Sequence, residues 1–168
     1  MKSIQSLKSR LSTNDTIITQ SESGFVCESG FQWNPPISDN ELQNILKDND
    51  LILPNSYIEF IKITNGAMLF EEMQYGQWGC DIFSLQRMID MTKEYREMGY
   101  ELKSSQYVFA AWLGDSDVLI FDLEKLNDKY IIDCSDCEPA EYYTPLKWGF
   151  DKWLDYLIVA QGTKFWRW

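Results

Sequence analysis

Three short apolar runs, residues 107–113, 118–123 and 129–134, follow one another with only turn chemistry between them. Gly114-Asp115-Ser116-Asp117 separates the first two, and a Gly/Asp/Ser loop between apolar runs is a hairpin signal. Asn127-Asp128 turns the chain into the third. Consecutive strands joined this tightly predict an antiparallel sheet, and the remaining segments have to pack on it.

Those segments read mainly as helices. Ile4, Leu7 and Leu11 recur at helical spacing near the start. Residues 12–30 are polar with weak signals, and Asn34-Pro35-Pro36 is a loop. Ser38-Asp39-Asn40-Glu41 matches a capping box, in which the serine accepts a backbone N–H and the glutamate reaches back. Leu42, Ile45 and Leu46 continue that helix to about residues 48–50. Leu53-Pro54 opens another, because proline's missing N–H costs nothing in a first turn. Tyr57, Phe60 and Ile61 form its apolar face, and Asn65-Gly66 closes it, since both residues tolerate the left-handed conformation. Strands are expected at 67–70 and 80–83. Ser84 caps a helix that ends at Gly99, and Phe150, Trp153, Leu154, Leu157 and Ile158 stripe a last helix that ends at Gly162. Helices first, then consecutive strands, then a closing helix make an α+β domain.

At 168 residues the chain suits one domain. Hydrophobic residues make up 45% of the chain and aromatic ones 15%, which provides a core and argues against disorder. A net charge of −11 argues against nucleic acid or an anionic membrane as partner, both of which need a basic surface. No run approaches the roughly 20 apolar residues that span a bilayer, and no secretory pattern opens the chain. A cytoplasmic location is expected. Cys27, Cys80, Cys134 and Cys137 are scattered, unlike a disulfide framework, and read as reduced thiols.

Chemistry is hard to find. The chain has no histidine, which removes Ser-His-Asp and Cys-His nucleophilic arrangements and His-containing zinc sites. The nine glycines form no phosphate-binding loop. Cys134-Ser135-Asp136-Cys137 follows a strand inside an acidic loop, which is poor ground for a redox thiol, and lacks the second pair that a four-thiolate zinc site needs. Asp115, Asp117 and Asp122 miss the EF-hand spacing. No pair of carboxylates stands out for glycoside hydrolysis. The expectation is a non-catalytic protein with no metal and no cofactor.

Charge is concentrated in one stretch. Residues 113–141 carry nine acidic side chains against Lys125 and Lys129, a net of −7. One reading is a solvated hairpin edge whose charges prevent edge-to-edge association. The other is a docking face for a basic protein, with Asp115, Asp117, Asp133, Asp136, Glu138 and Glu141 as its candidate contacts. Trp78, Tyr142, Tyr143, Trp166 and Trp168 fall in loops or near the end; those that prove exposed are candidate interface anchors.

The segment from Leu53-Pro54 through Tyr57 and Phe60 to Asn65-Gly66 resembles the core of the SUKH superfamily, the Smi/Knr-like proteins. Asp81-Ile82-Phe83 before a helix, Gly114-Asp115 followed by Phe121-Asp122-Leu123, and the closing helix from Phe150 are similar to further family elements, in the same order. The resemblance covers residues 34–168 and leaves 1–33 as an N-terminal helix and polar lead-in. It implies a twisted, mostly antiparallel sheet with helices mainly on one face. Leu53, Pro54, Tyr57, Phe60, Asn65 and Gly66 match its core in structural roles. It also implies that many bacterial members are immunity proteins that bind and neutralise polymorphic toxins, often nucleases, while fungal relatives are regulatory scaffolds. The leading expectation is therefore an immunity protein for a basic toxin. The alternatives are an adaptor without a toxin partner and an enzyme using carboxylates alone.

Overall fold

The computed structural model describes residues 1–21, 23–126, 129–135 and 139–168. Five helices accompany eight strands along these residues. They run α1 (Lys2–Lys8), β1 (Thr16–Gln20), β2 (Val26–Trp33), α2 (Asp39–Asp48), α3 (Asn55–Ile61), β3 (Ala67–Glu72), β4 (Gly79–Ile82), α4 (Leu85–Glu97), β5 (Gln106–Leu113), β6 (Val118–Asp122), β7 (Ile131–Cys134), β8 (Thr144–Pro145) and α5 (Phe150–Val159). All eight strands belong to one sheet in the order of the sequence. Each strand is antiparallel to the next. The α+β class and the antiparallel sheet thus stand as expected.

The caps form where sequence chemistry places them. Ser38 and Ser84 each accept from the backbone N–H three residues on, at 3.2 Å, and so open α2 and α4. The expected Asn127-Asp128 turn lies outside the described residues. The main departure from expectation is at residues 12–30, where β1 and most of β2 replace a weakly structured stretch. Residues 1–33 thereby add α1, β1 and β2 to the common sheet and core, with Ile4 and Leu7 buried. Gly30, which weakens a strand reading of β2, is covered there by the Met73 side chain, whose Sδ lies in the space a Cβ would take.

Two bulges shape the sheet. Register shifts between Gly30 and Gln32, where Leu69 and Phe70 oppose Phe31, and between Val108 and Ala110, so Phe70 on β3 and Phe109 on β5 are extra residues on their strands. Both side chains are buried. Phe109 stacks on Phe121 at 3.8 Å and meets Tyr57, Phe150 and Trp153 edge-on. Buried Thr92 of α4 accepts from the Val108 N–H at 2.9 Å and donates to the Met88 carbonyl at 2.6 Å. A backbone donor at the bulge is thereby satisfied from a helix.

The two sheet edges are blunted. Asp15 O accepts from Phe31 and Ser21 N–H donates to Phe25 O, so the odd-numbered groups of this segment face β2 and alternation turns those of Thr16, Ile18 and Gln20 outward. Ser12 takes both the Thr16 N–H, through its hydroxyl, and the Thr16 carbonyl, through its own N–H. Gln161 Oε1 takes the Gln20 N–H at 2.6 Å. At the other edge β8 has two residues, one a proline that cannot donate.

Candidate partner-binding site

The residues matching the family core build a corner. Leu53 is buried, and Pro54 precedes the first turn of α3. Tyr57 and Phe60 are fully buried, and the Tyr57 hydroxyl donates to the Phe83 carbonyl at 3.0 Å. Burial raises the Tyr57 pKa far above the usual tyrosine range. Asn65 Oδ1 accepts from the Leu85 N–H at 2.9 Å, which joins the end of the α3 segment to the start of α4. Gly66 has φ +93°, and a Cβ there would lie 2.6 Å from the Ser84 nitrogen. Leu53, Tyr57, Phe60, Asn65 and Gly66 thus make contacts within the scaffold, and Pro54 stands at the cap of α3.

The acidic residues are arranged otherwise than a bare docking face would require. Asp115 and Asp117 stand in the β5–β6 turn and Asp133 on β7. The segment after α5 returns across them and delivers two cations. Lys164 pairs with Asp115 at 2.5 Å and with Asp117. Arg167 reaches Asp117 through Nη1 at 2.5 Å, Asp133 through Nε and Nη2 at 2.7 Å each, and Ser135 through Nη2 at 2.9 Å. Trp166 Nε1 adds a hydrogen bond to Asp133 at 2.9 Å. The Lys164 ammonium also sits 5.3 Å and 5.1 Å from the rings of Trp78 and Trp112, within cation–π range. Only 9% of its side chain is exposed, against 11% for Asp117 and 8% for Asp133. Three carboxylates and two cations thus form a clasp inside the chain. Burial alone would raise the Asp117 pKa, but hydrogen bonds from Lys164 and Arg167 outweigh it and hold it below the usual carboxylate range.

Of the other candidate contacts, Glu141 is exposed in a short 3-10 turn. Asp136 and Glu138 lie outside the described residues, as does Cys137, so the Cys-x-x-Cys pattern is not described. Cys27 and Cys80 carry free thiols, and burial, followed by the charge of Asp81, pushes that of Cys80 up despite the nearby Lys164. Among the described residues no group of three His, Cys, Asp or Glu is placed to hold a metal ion. None of the helices described is long and apolar enough to cross a membrane.

The clasp builds one wall of a cleft of about 450 Å³. The β1–β2 hairpin supplies the facing wall with Thr19, Phe25, Cys27 and Ser29. Phe70, Glu72 and Trp78 supply the floor, and Lys164, Arg167 and Trp168 close the far side. Thr19 and Ser29 share a hydroxyl hydrogen bond of 2.7 Å. Phe25 and Val26 are 54% and 57% exposed, and Trp168 is 73% exposed. Of the aromatic residues that the sequence offered as candidate anchors, Tyr142 and Trp168 are exposed. The hairpin wall was missed because its strands carry serines, threonines and glycines. The β-branched run Thr16-Ile17-Ile18-Thr19, ahead of Ser21 and Gly24, was the signal that could have revealed it.

A sequential antiparallel meander, cornered by Tyr57, Asn65 and Gly66, defines a class of α+β scaffold in which the helices leave the hairpin ends to form surface. The chain belongs to the SMI1 / KNR4 family (SUKH-1), whose model matches residues 36–156. Two relatives from Bacillus subtilis (strain 168) are similar to it. One, described as "Uncharacterized protein YobM", is 29% identical over 137 residues, which cover 77% of this chain and 69% of that protein. The other, "Uncharacterized protein YnaB", is 26% identical over 140 residues, covering 83% and 88%. The β1–β2 hairpin and the clasp segment after α5 lie outside the residues that the family model matches, and they supply most of the cleft's lining.

Proposed function

We propose that the protein is a non-catalytic binding domain that acts as an immunity protein, neutralising a cognate toxin by covering it. The observation that carries this reading is membership of the SMI1 / KNR4 family (SUKH-1) over residues 36–156, together with the role that the SUKH resemblance implies for bacterial members. The charge of −11 supports a basic partner, plausibly a nuclease domain, because complementary charge speeds encounter and rejects wrong partners. It also disfavours nucleic acid as a direct ligand. A cytoplasmic location belongs to the same proposal.

The test is co-expression with the toxin encoded beside this gene, followed by a binding assay at two salt concentrations. Rescue of growth and a complex that weakens with salt are the expected results. A toxin that neither loses toxicity nor binds at either concentration overturns the proposal. The clasp decides which charges are useful probes. Reversing Asp115 or Asp117 would break internal pairs and confuse docking with unfolding, whereas Glu141→Lys changes an exposed acid. If the acidic loop docks, that variant slows association several-fold.

A further inference from the structure

We propose that the cleft between the β1–β2 hairpin and the clasp is the anchor point for the partner, and that it receives an uncharged aromatic or large aliphatic side chain. This inference rests on the binding-domain reading above and names the place and chemistry of contact.

Three observations carry it. First, the volume of about 450 Å³ falls in the range of built binding pockets and exceeds a packing defect. Second, among the described residues the charged side chains that line the cleft are each held inside the chain. Glu72 accepts the backbone N–H groups of Gln74 and Tyr75 at 2.7 and 2.8 Å. Lys164 is held by Asp115 and Asp117, and Arg167 by Asp117 and Asp133. The Thr19 and Ser29 hydroxyls satisfy each other. A charged occupant would lose its hydration and meet charged groups that are already held inside the chain, whereas an apolar one is buried against Phe25, Phe70 and Trp78. Third, the mouth carries exposed Phe25 and Trp168. Large apolar side chains grouped around a concavity are the usual make-up of an interface hot spot. The acidic surface and the apolar part of the cleft divide the labour: long-range charge brings a basic partner in, and the cleft fixes its register.

Cys27 is a built-in reporter, because its half-buried thiol lines the cleft whereas Cys80 and Cys134 are buried. In a Cys137→Ser background, the rate of maleimide labelling of Cys27 is followed with four capped amino acids as probes. These are N-acetyl-phenylalaninamide, N-acetyl-leucinamide, N-acetyl-lysinamide and N-acetyl-glutamate amide. A probe of this size is expected to bind with Kd of about 1 mM. At about ten times that concentration the phenylalanine and leucine probes should slow labelling at least about fivefold, while the lysine and glutamate probes leave it unchanged. No protection by any probe, or equal protection by the charged ones, overturns the proposal. So does a concentration-dependent dimer in which Cys27 is already protected, since the cleft would then belong to a second copy.

In the complex with the neighbouring toxin, Cys27→Trp fills the cleft and Phe25→Ala trims its mouth. Each should weaken binding at least tenfold. Phe25 is exposed, so its variant keeps the test valid if the filled cleft fails to fold. Unchanged affinity of the folded variants overturns the anchor while leaving the immunity reading intact. A toxin that ignores the wild-type protein removes that reading itself, whatever the amide probes do.

Discussion

Phe70 takes the space that a side chain on Gly162 would need: a Cβ built on Gly162 lies 2.6 Å from the Phe70 Cβ. Both residues have positive φ, +85° for Gly162 and 57° for Phe70. A non-glycine residue in that region is uncommon and marks a constrained place. Here it seats the end of α5 against β3, directly below the cleft. Gly162→Ala is expected to cost about 2–4 kcal/mol, combining a left-handed alanine with an overpacked contact. Chemical denaturation would measure it. A loss under about 0.5 kcal/mol, the size of an ordinary surface change, would show that the contact relaxes freely.

Acid should open the clasp before it unfolds the core. Asp117 has its folded pKa lowered from an ordinary 3.8, so its pairing stabilises the protein above that value and is lost as pH falls below it, through the lowered one. Trp166 sits in the same network and packs on Trp112 at 5.4 Å. Tryptophan fluorescence is therefore expected to change below about pH 4, ahead of the loss of far-ultraviolet dichroism. Asp117→Asn should abolish that early step. A single transition by both probes in both proteins would refute a separately opening clasp.

Arg167 should not be replaceable by lysine. Its planar fork gives Asp133 two hydrogen bonds and reaches Asp117 and Ser135 besides, a pattern that one ammonium cannot reproduce. Arg167→Lys is expected to lose most of what Arg167→Ala loses, about 2–3 kcal/mol. That is below the range for a fully buried pair because the arginine is about a third exposed. Denaturation midpoints of the two variants test this, and a lysine variant as stable as wild type would contradict it.

Thr92→Val keeps the shape of the side chain and removes the acceptor for the Val108 N–H. The donor is buried at a bulge with no replacement in view, so a cost of about 1–3 kcal/mol is expected. Amide exchange at Val108 should rise with it. Unchanged exchange would mean that water or a shifted carbonyl takes over the bond.

How much of this could be read in advance depended on whether the signal was local. Ser38, Ser84, Pro54 and Gly162 act on their own neighbours in the chain, so helix ends were legible. The Tyr107–Cys134 strands were legible because their apolar runs are interrupted by turn chemistry. The β1–β2 hairpin was not, since its polar residues are explained by what they meet: Thr19 by Ser29, Gly30 by Met73, Gln20 by Gln161. The acidic stretch was read correctly as charge, but its counter-ions lie 34 to 50 residues away at Lys164 and Arg167. No periodicity connects them. A count of charges over residues 113–141 therefore overstated the negative field that a partner would meet.

The blocked edge of β1 bears on how the molecule tolerates crowding. With Thr16 and Gln20 committed to Ser12 and Gln161, Ile18 keeps the only complete N–H and C=O pair of that strand facing outward. A single pair cannot template an added strand, and the proline in β8 denies the opposite end. Two open-ended sheets meeting in solution would thus find no ladder to extend. Sheet extension is thereby disfavoured at both edges, and the exposed apolar mouth of the cleft stays open to a chosen visitor.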